Sequence, residues 1–350
     1  MAGPLFAAQR SCCVRENERA RKGIQKMKLG RISAPARSSL NAGKYAVATA
    51  LGGALLGAMA LVARRQASNA EQRHPAVGKF LNVDGVRLHY VESGTGEPLL
   101  LIHGNGTQIE DFETSGLIDL AADTHRVIVF DRPGFGHSSR PRGTVWTPSA
   151  QAHLLHEALA QLGIGRCVVL GHSWGAAVAV ALALQHPTSV KSLVLVSGYY
   201  YPTDRFDAVL QVLQASPVIG DLLRYTLSPL LGRLGWSSLM SKIFSPATIS
   251  RSFSDAIKEM ALRPSQLHSS AAESTLMIPN AIGMQSRYGE LMMPVSIVVG
   301  ADDRLIKAKS QSMQLHENIP GSALHVIPGI GHMVHHGAPA EVMRAIEAVA

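Results

Sequence analysis

The stretch Cys167-Val168-Val169-Leu170-Gly171-His172-Ser173-Trp174-Gly175, followed by an Ala-, Val- and Leu-rich run to Leu184, decides the reading of the fold. Four apolar residues in a row make a short strand buried on both faces. The run after it has the length and composition of a helix ending before Pro187. Between them, glycines two before and two after Ser173 form G-x-S-x-G, a pattern that allows a tight strand-to-helix turn lifting the serine hydroxyl clear of the sheet edge. Ser173 is therefore the candidate nucleophile. A serine hydroxyl is weak by itself and needs a base, which needs an orienting carboxylate.

Strand and helix signals alternate from Phe80 onward. Strands are expected at 80–83, 87–92, 99–103, 126–131, 167–171, 193–196, 295–300 and 324–327. Asp84-Gly85 is a hairpin turn joining the first two. The rest are continuous apolar runs, so an α/β fold is expected, with an eight-stranded, mostly parallel sheet and helices on both faces. A helix from Thr147 to Leu162 starts with a Thr cap and Pro148 and stops at Gly163. About 98 residues separate the sixth strand from the seventh, far more than one crossover helix needs, which marks an inserted helical cap over 199–287. The core then comprises 78–198 and 288–350.

Parallel sheets place their sites at the carboxyl ends of strands. After the seventh strand comes Gly300-Ala301-Asp302-Asp303-Arg304, the source of the acid, and after the eighth Pro328-Gly329-Ile330-Gly331-His332, the source of the base. The order Ser, acid, His is thus satisfied. Other residues have simpler readings. His172 packs under the turn, Asp131 and Arg132 form a structural turn beneath the site, and His335 and His336 are helix-start or surface residues. Gly94-x-Gly96 lacks the following helix that a dinucleotide fingerprint needs. No metal-ligand spacing occurs, and neither metal nor cofactor is expected.

Five motifs in this order, His103-Gly104-Asn105-Gly106, Asp131-Arg132-Pro133-Gly134-Phe135-Gly136, the G-x-S-x-G turn, G-x-x-D at Gly300 to Asp303 and Gly331-His332, give the chain its resemblance to the α/β-hydrolase fold family, in the branch with an inserted cap. The resemblance covers Phe80 to Ala350. It implies Asp303 as the acid, with Asp302 a solvated neighbour, and an oxyanion hole made by the backbone N–H groups of Asn105 and Trp174. It also implies a serine hydrolase acting on an ester or related acyl bond. Epoxide hydrolases and haloalkane dehalogenases of similar layout carry Asp where Ser173 stands, so acyl transfer to water is expected, with carbon–carbon bond hydrolysis and cofactor-free perhydrolysis as alternatives. A non-catalytic membrane-tethered binding protein is the alternative of another class. The small-molecule acyl substrate is expected to meet apolar or amphipathic cap walls, with Tyr199 and Tyr200 foremost, then Tyr201, Leu210, Val212, Leu213 and Met240. No cluster of Arg or Lys stands out to receive a phosphate or second carboxylate.

The charge of +8 divides unevenly. Residues 1–77 hold 13 Lys+Arg and 3 Asp+Glu, whereas 78–350 hold 20 and 22, so the body is near neutral and a nucleic-acid partner is not expected. Residues 1–44 are a basic tail. Tyr45 to Ala63 are 19 consecutive uncharged positions, about 28 Å as a helix, and read as a membrane span. The upstream excess of Lys and Arg puts the tail in the cytoplasm and the catalytic body on the extracytoplasmic side. A cleaved signal with a small-x-small site at Ala58-Met59-Ala60 is the rival reading. Residues 64–77 read as a linker. Gly53 and Gly57 form a GxxxG pair that would permit a homodimer. Of three cysteines, Cys12 and Cys13 are too close to bridge, and Cys167 reads as a core thiol.

Overall fold

A computed structural model describes residues 39–204 and 208–350, with side chains described from Gly43 onward except 205–210. Residues 1–38 of the basic tail, with Cys12 and Cys13, thus lie outside the described residues, as does the Leu210 side chain. Residues up to Ala54 and residues from Leu55 form two units.

Eight strands form one sheet: β1 Lys79–Val83, β2 Val86–Ser93, β3 Glu97–Ile102, β4 His125–Phe130, β5 Cys167–His172, β6 Val190–Val196, β7 Val295–Gly300 and β8 Ala323–Ile327. Their spatial order is β1-β2-β4-β3-β5-β6-β7-β8. β2 pairs antiparallel with both β1 and β4, and every other neighbouring pair is parallel. Asp84 (φ 48°) and Gly85 (φ 77°) both take positive φ, as a two-residue hairpin with the strands' own twist requires.

The apolar strands bury alternate residues on opposite faces. Leu99, Leu101, Val127, Val129, Val168 and Leu170 meet the helices α2 (Ile109–Thr114) and α3 (Leu117–Ala122). Leu100, Ile102, Ile128, Phe130 and Val169 meet α4 (Pro148–Gln161) and α5 (Trp174–Gln185) on the other face. α4 opens as its sequence dictates, with the Thr147 hydroxyl accepting from Ala150 N and Pro148 at the first position. α5 is buried from Trp174 to Ala183, which is why it lacks a polar face. Cys167 is buried in this core and burial pushes its thiol up to about 12.

Between β6 and β7 lie helices α6 (Ala208–Ala215), α7 (Ile219–Tyr225), α8 (Leu227–Phe244), α9 (Arg251–Ala261) and α10 (Pro264–Met284), which make up the inserted cap. Three short helices, α11 (Gln314–Asn318), α12 (Val334–Gly337) and α13 (Pro339–Glu347), complete the core.

The amino-terminal helix, α1, runs from Ser39 to Arg73, so most of the stretch read as a linker is helical. Its Gly43–Arg73 part is long and apolar enough to cross a membrane, and the side chains of its most apolar 18-residue stretch are almost all exposed. The end of this helix docks on the cap. Ala63 and Ala70 are buried, Arg263 of the cap reaches Glu71 at 2.6 Å, and Arg233 donates to Gln66 at 3.3 Å. Past the helix, His137 donates to the His74 carbonyl and His89 to that of Val77. Residues 64–77 are thus bound along their length, a correction to the linker reading.

Candidate active site

Ser173 follows β5 with φ 54° and ψ −117°, a conformation that side-chain-bearing residues rarely hold. The flanking glycines are steric necessities. A Cβ on Gly171 would lie under 3.0 Å from the Gly175 carbonyl oxygen, and one on Gly175 equally close to that of Ile102. The turn is anchored where Ser173 N–H donates to Val196 O at 2.9 Å.

His332 faces the same cavity as Ser173. Its Nδ1 donates to Asp303 Oδ2 at 2.8 Å, and Asp303 Oδ1 accepts from the N–H groups of Leu305 and Ile306, both at 2.8 Å. Asp303 is therefore oriented through both oxygens, with its side chain wholly buried. Asp302 points elsewhere, accepts from Gly329 N–H at 2.9 Å and is exposed, as a solvated neighbour would be. Ser173, Asp303 and His332 thus converge from three strand ends. The His332 N–H in turn donates to Ile243 O of the cap.

Asn105 lines the cavity beside Ser173, and its Nδ2 donates to Ser270 O and Ser274 Oγ of α10, each at 3.1 Å. Trp174 is the first residue of α5, where a backbone N–H has no partner within the helix, and its ring is buried. The cavity has a volume of about 290 Å3. Its cap wall is apolar, with Trp236, Met240, Ile243, Phe253, Ile257 and Met277. Of the expected cap residues whose side chains are described, Met240 lines it. Tyr199 and Tyr200 do not: they are buried in the sheet's core, where Gln311 Oε1 accepts from the N–H groups of Tyr200 and Tyr201, and the Tyr288 hydroxyl donates to Tyr200 O. The reason is local: these residues leave β6 within the core layer, before the chain rises into the cap. Val212 and Leu213 are exposed.

Below the cavity lies a network that short sequence motifs do not reveal. Arg132, wholly buried, donates to His103 O at 2.9 Å and Gly104 O at 2.8 Å, so it grips the two carbonyls preceding Asn105. Its guanidinium pairs through both outer nitrogens with Glu273 of α10, also wholly buried, and donates to Gln151 at 2.9 Å. Burial and the Arg132 charge push His103 down to about 3, so this imidazole is neutral, accepting from Arg132 N–H and donating to Gly104 O. Asp131 accepts from His89, His137 N–H and Ile109 N–H, in keeping with a structural turn.

His335 and His336 are not surface residues. His335 is fully buried, and both imidazoles donate through Nε2 to Asp111 Oδ1, at 3.0 and 2.8 Å. Burial pushes the Asp111 carboxyl up, but the two imidazoles outweigh it and hold it well below the usual range. These three groups could offer ligand atoms to a metal ion, yet the spacing to a single carboxylate oxygen is that of ordinary hydrogen bonds. His172 sits between this cluster and the site: its Nε2 donates to His332 O at 3.2 Å, and burial first, then His335 and His332, lower it well below its ordinary value. It supports the turn, as its position beneath Ser173 implies.

The family model described as the alpha/beta hydrolase fold matches residues 97–339, and the chain belongs to that family of hydrolases. It is 25% identical to haloalkane dehalogenase 2 of Mycobacterium bovis over 282 residues, 79% of this chain and 95% of that protein. It is 30% identical to a 2-hydroxy-6-oxononadienedioate/2-hydroxy-6-oxononatrienedioate hydrolase of Burkholderia vietnamiensis over 275 residues, 73% of this chain and 90% of that protein. Among solved structures, an esterase from Thermogutta terrifontis superposes with a TM-score of 0.66 at 23% identity, covering 77% of this chain and 97% of the esterase.

Proposed function

We propose that the protein is a serine hydrolase, held at a membrane by its amino-terminal helix, that cleaves an ester or related acyl bond of an apolar small molecule. The observation that carries this reading is Ser173 on its strained turn, sharing an apolar cavity with a His332–Asp303 pair. Ser173 Oγ attacks the acyl carbon while His332 Nε2 takes its proton, and Asp303 stabilises the imidazolium that forms. The negative charge on the tetrahedral intermediate is met by the backbone N–H groups of Trp174 and Asn105, each contributing about 2.7–4 kcal/mol of barrier reduction. His332 then protonates the leaving group, and water reverses the sequence to free the acid.

Two activities of the relatives fit less well. Haloalkane dehalogenation by displacement needs a carboxylate nucleophile, and a hydroxyl stands at that position. A dioate substrate carries two carboxylates, whereas no Arg or Lys among the described residues lines the cavity. Carbon–carbon bond hydrolysis of a less charged substrate remains the second reading, supported by the 30% identity to a hydrolase of that kind. The membrane reading rests on the exposed apolar helix. The test is labelling of purified protein with a fluorophosphonate, with Ser173→Ala as the control, followed by turnover on a panel of esters of graded acyl length. Labelling that persists in Ser173→Ala would refute the assignment.

A further inference from the structure

A second cavity, of about 650 Å3, lies on the opposite flank of α10 from Ser173. Leu267, Ser270, Ser274 and Met277 face the catalytic cavity, while His268, Ala272, Thr275 and Leu276 face this one. At about 100° per residue, these two sets occupy opposite sides of one helix. The second cavity is walled by the 134–146 segment that follows β4 and by α7. It has no part in the chemistry described above.

Its distinguishing feature is positive charge. Arg140 and Arg142 from the body and Arg224 from the cap all line it, together with His268, and the sole acidic lining residue among the described residues is Asp221. Asp221 pairs with Arg224 and lies 3.8 Å from Arg142, while Arg140 donates to Pro133 O at 2.9 Å and has no carboxylate of the lining as a partner. Arg224 is only 6% exposed, and its buried Nε has no hydrogen-bond partner among the described residues; neither has His268 Nδ1. Leaving a buried guanidinium N–H unpaired is costly, so an acceptor that reached Arg224 Nε would relieve that cost, whereas His268 Nδ1 is a donor in only one of the two neutral tautomers. Burial, then the charges of Arg224 and Arg140, push His268 down to about 4 against the opposing Asp221 carboxylate, so this imidazole is neutral. The remaining wall is apolar or aromatic, with Trp146, Tyr225, Val145 and Leu276.

We propose that this cavity is a binding site for an organic oxyanion, a phosphate monoester or carboxylate carried on an apolar or aromatic body, held by Arg140, Arg142 and Arg224. Guanidinium pairs recognise both headgroups through paired N–H donors. The apolar walls take the body. Three cationic groups against one carboxylate leave an excess of two charges, which a phosphate monoester, carrying close to two negative charges at neutral pH, matches better than a carboxylate. The sequence shows no such cluster, because Arg224 stands more than eighty positions from Arg140 and Arg142.

The test uses the full chain in neutral detergent and calorimetric titration with phenyl phosphate, phenylacetate and inorganic phosphate. Phenyl phosphate is expected to bind one to one and most tightly, phenylacetate less so, and inorganic phosphate more weakly than phenyl phosphate because it leaves the apolar wall unused. Rising salt should weaken all three. Arg224→Gln should weaken phenyl phosphate binding about tenfold or more, and Arg142→Gln, a surface change, several-fold. Asp221→Asn removes the competing carboxylate and should tighten it several-fold. Trp236→Ala, in the catalytic cavity, should leave it unchanged. The proposal is overturned if none of the three probes binds at millimolar concentration, if Asp221→Asn fails to tighten binding, or if Trp236→Ala abolishes it.

Discussion

Replacing Glu273 with Leu should cost more stability than any single change in the catalytic cavity, and the loss should be recovered in part by a second change rather than compounded. Glu273 and Arg132 are both wholly buried, and among the described residues this carboxylate is the only negative charge bonded to that guanidinium. Removing one partner of a buried pair strands the other, at about 3–5 kcal/mol. Arg132→Met strands Glu273 instead and also withdraws donors from His103 O and Gly104 O, each buried acceptor adding roughly 1 kcal/mol or more. If the two costs were independent, the double variant would lose their sum, on the order of 10 kcal/mol, most of the margin of a folded domain. The double variant, however, holds no stranded charge and should lose only the unpaired acceptors, the two carbonyls and Gln151 Oε1, on the order of 3 kcal/mol.

Denaturant titration followed by circular dichroism reads all three variants. Turnover should separate from stability. Arg132→Met, alone or in the double variant, frees the His103-Gly104 segment that presents the Asn105 N–H, so kcat should fall in both even where the fold is restored. Additive stability losses to within about 0.5 kcal/mol would refute the electrostatic account.

Ser173→Ala and His332→Ala should each lower kcat by factors on the order of 10⁴ or more with the fold intact; Asp303→Asn should be severe and Asp302→Asn mild, and the reverse ranking in ester turnover would overturn the acid assignment. Burial, then the Asp131 carboxylate, raises Glu110 to about 7. Its contribution to stability is therefore fully present below about pH 4.5 and lost as pH rises through 7, so Glu110→Gln should melt like the wild type near pH 4.5 and gain up to about 3 kcal/mol near pH 8; an equal gain at both pH values would contradict this. The full chain should resist extraction from membranes by alkaline carbonate, whereas a chain starting at residue 64 should be soluble with near-normal turnover on a water-soluble ester. A chain starting at residue 78 should be less stable by about 1–3 kcal/mol in thermal melts, having lost Glu71 from Arg263 and the cover over that surface.

The elements legible in sequence were those whose physics is local. A strand buried on both faces must be continuously apolar, and a turn as tight as that at Ser173 must exclude Cβ atoms at 171 and 175, so both write themselves into a few adjacent letters. The candidate acid and base were legible for a related reason, since a parallel sheet delivers the residue just past each strand to one edge. The docked end of the amino-terminal helix was missed because Arg64, Arg65, Glu71, Arg73 and their polar company read as a linker. Ala63, Gln66, Ala67 and Ala70 nevertheless fall at i, i+3, i+4 and i+7, the stripe that a helix end packed on one side would show.

What stayed illegible was charge that balances across distance. His335 and His336 look like surface residues until Asp111, more than two hundred positions earlier, is placed against them. Arg132 looks like a turn residue until Glu273 arrives from the cap, and the arginine cavity exists only because α7 and α10 fold over the segment after β4. These three cases share a cause. Polar residues in contact carry no periodicity, and their pairing is set by where the cap lands. The same helix, α10, supplies one wall of the catalytic cavity, the carboxylate that neutralises Arg132, and the inner wall of the second cavity. A change that shifts α10 therefore acts on substrate space, on the segment presenting Asn105 and on the arginine cavity together, so the cap and the core cannot be treated as separable modules despite being separable stretches of sequence.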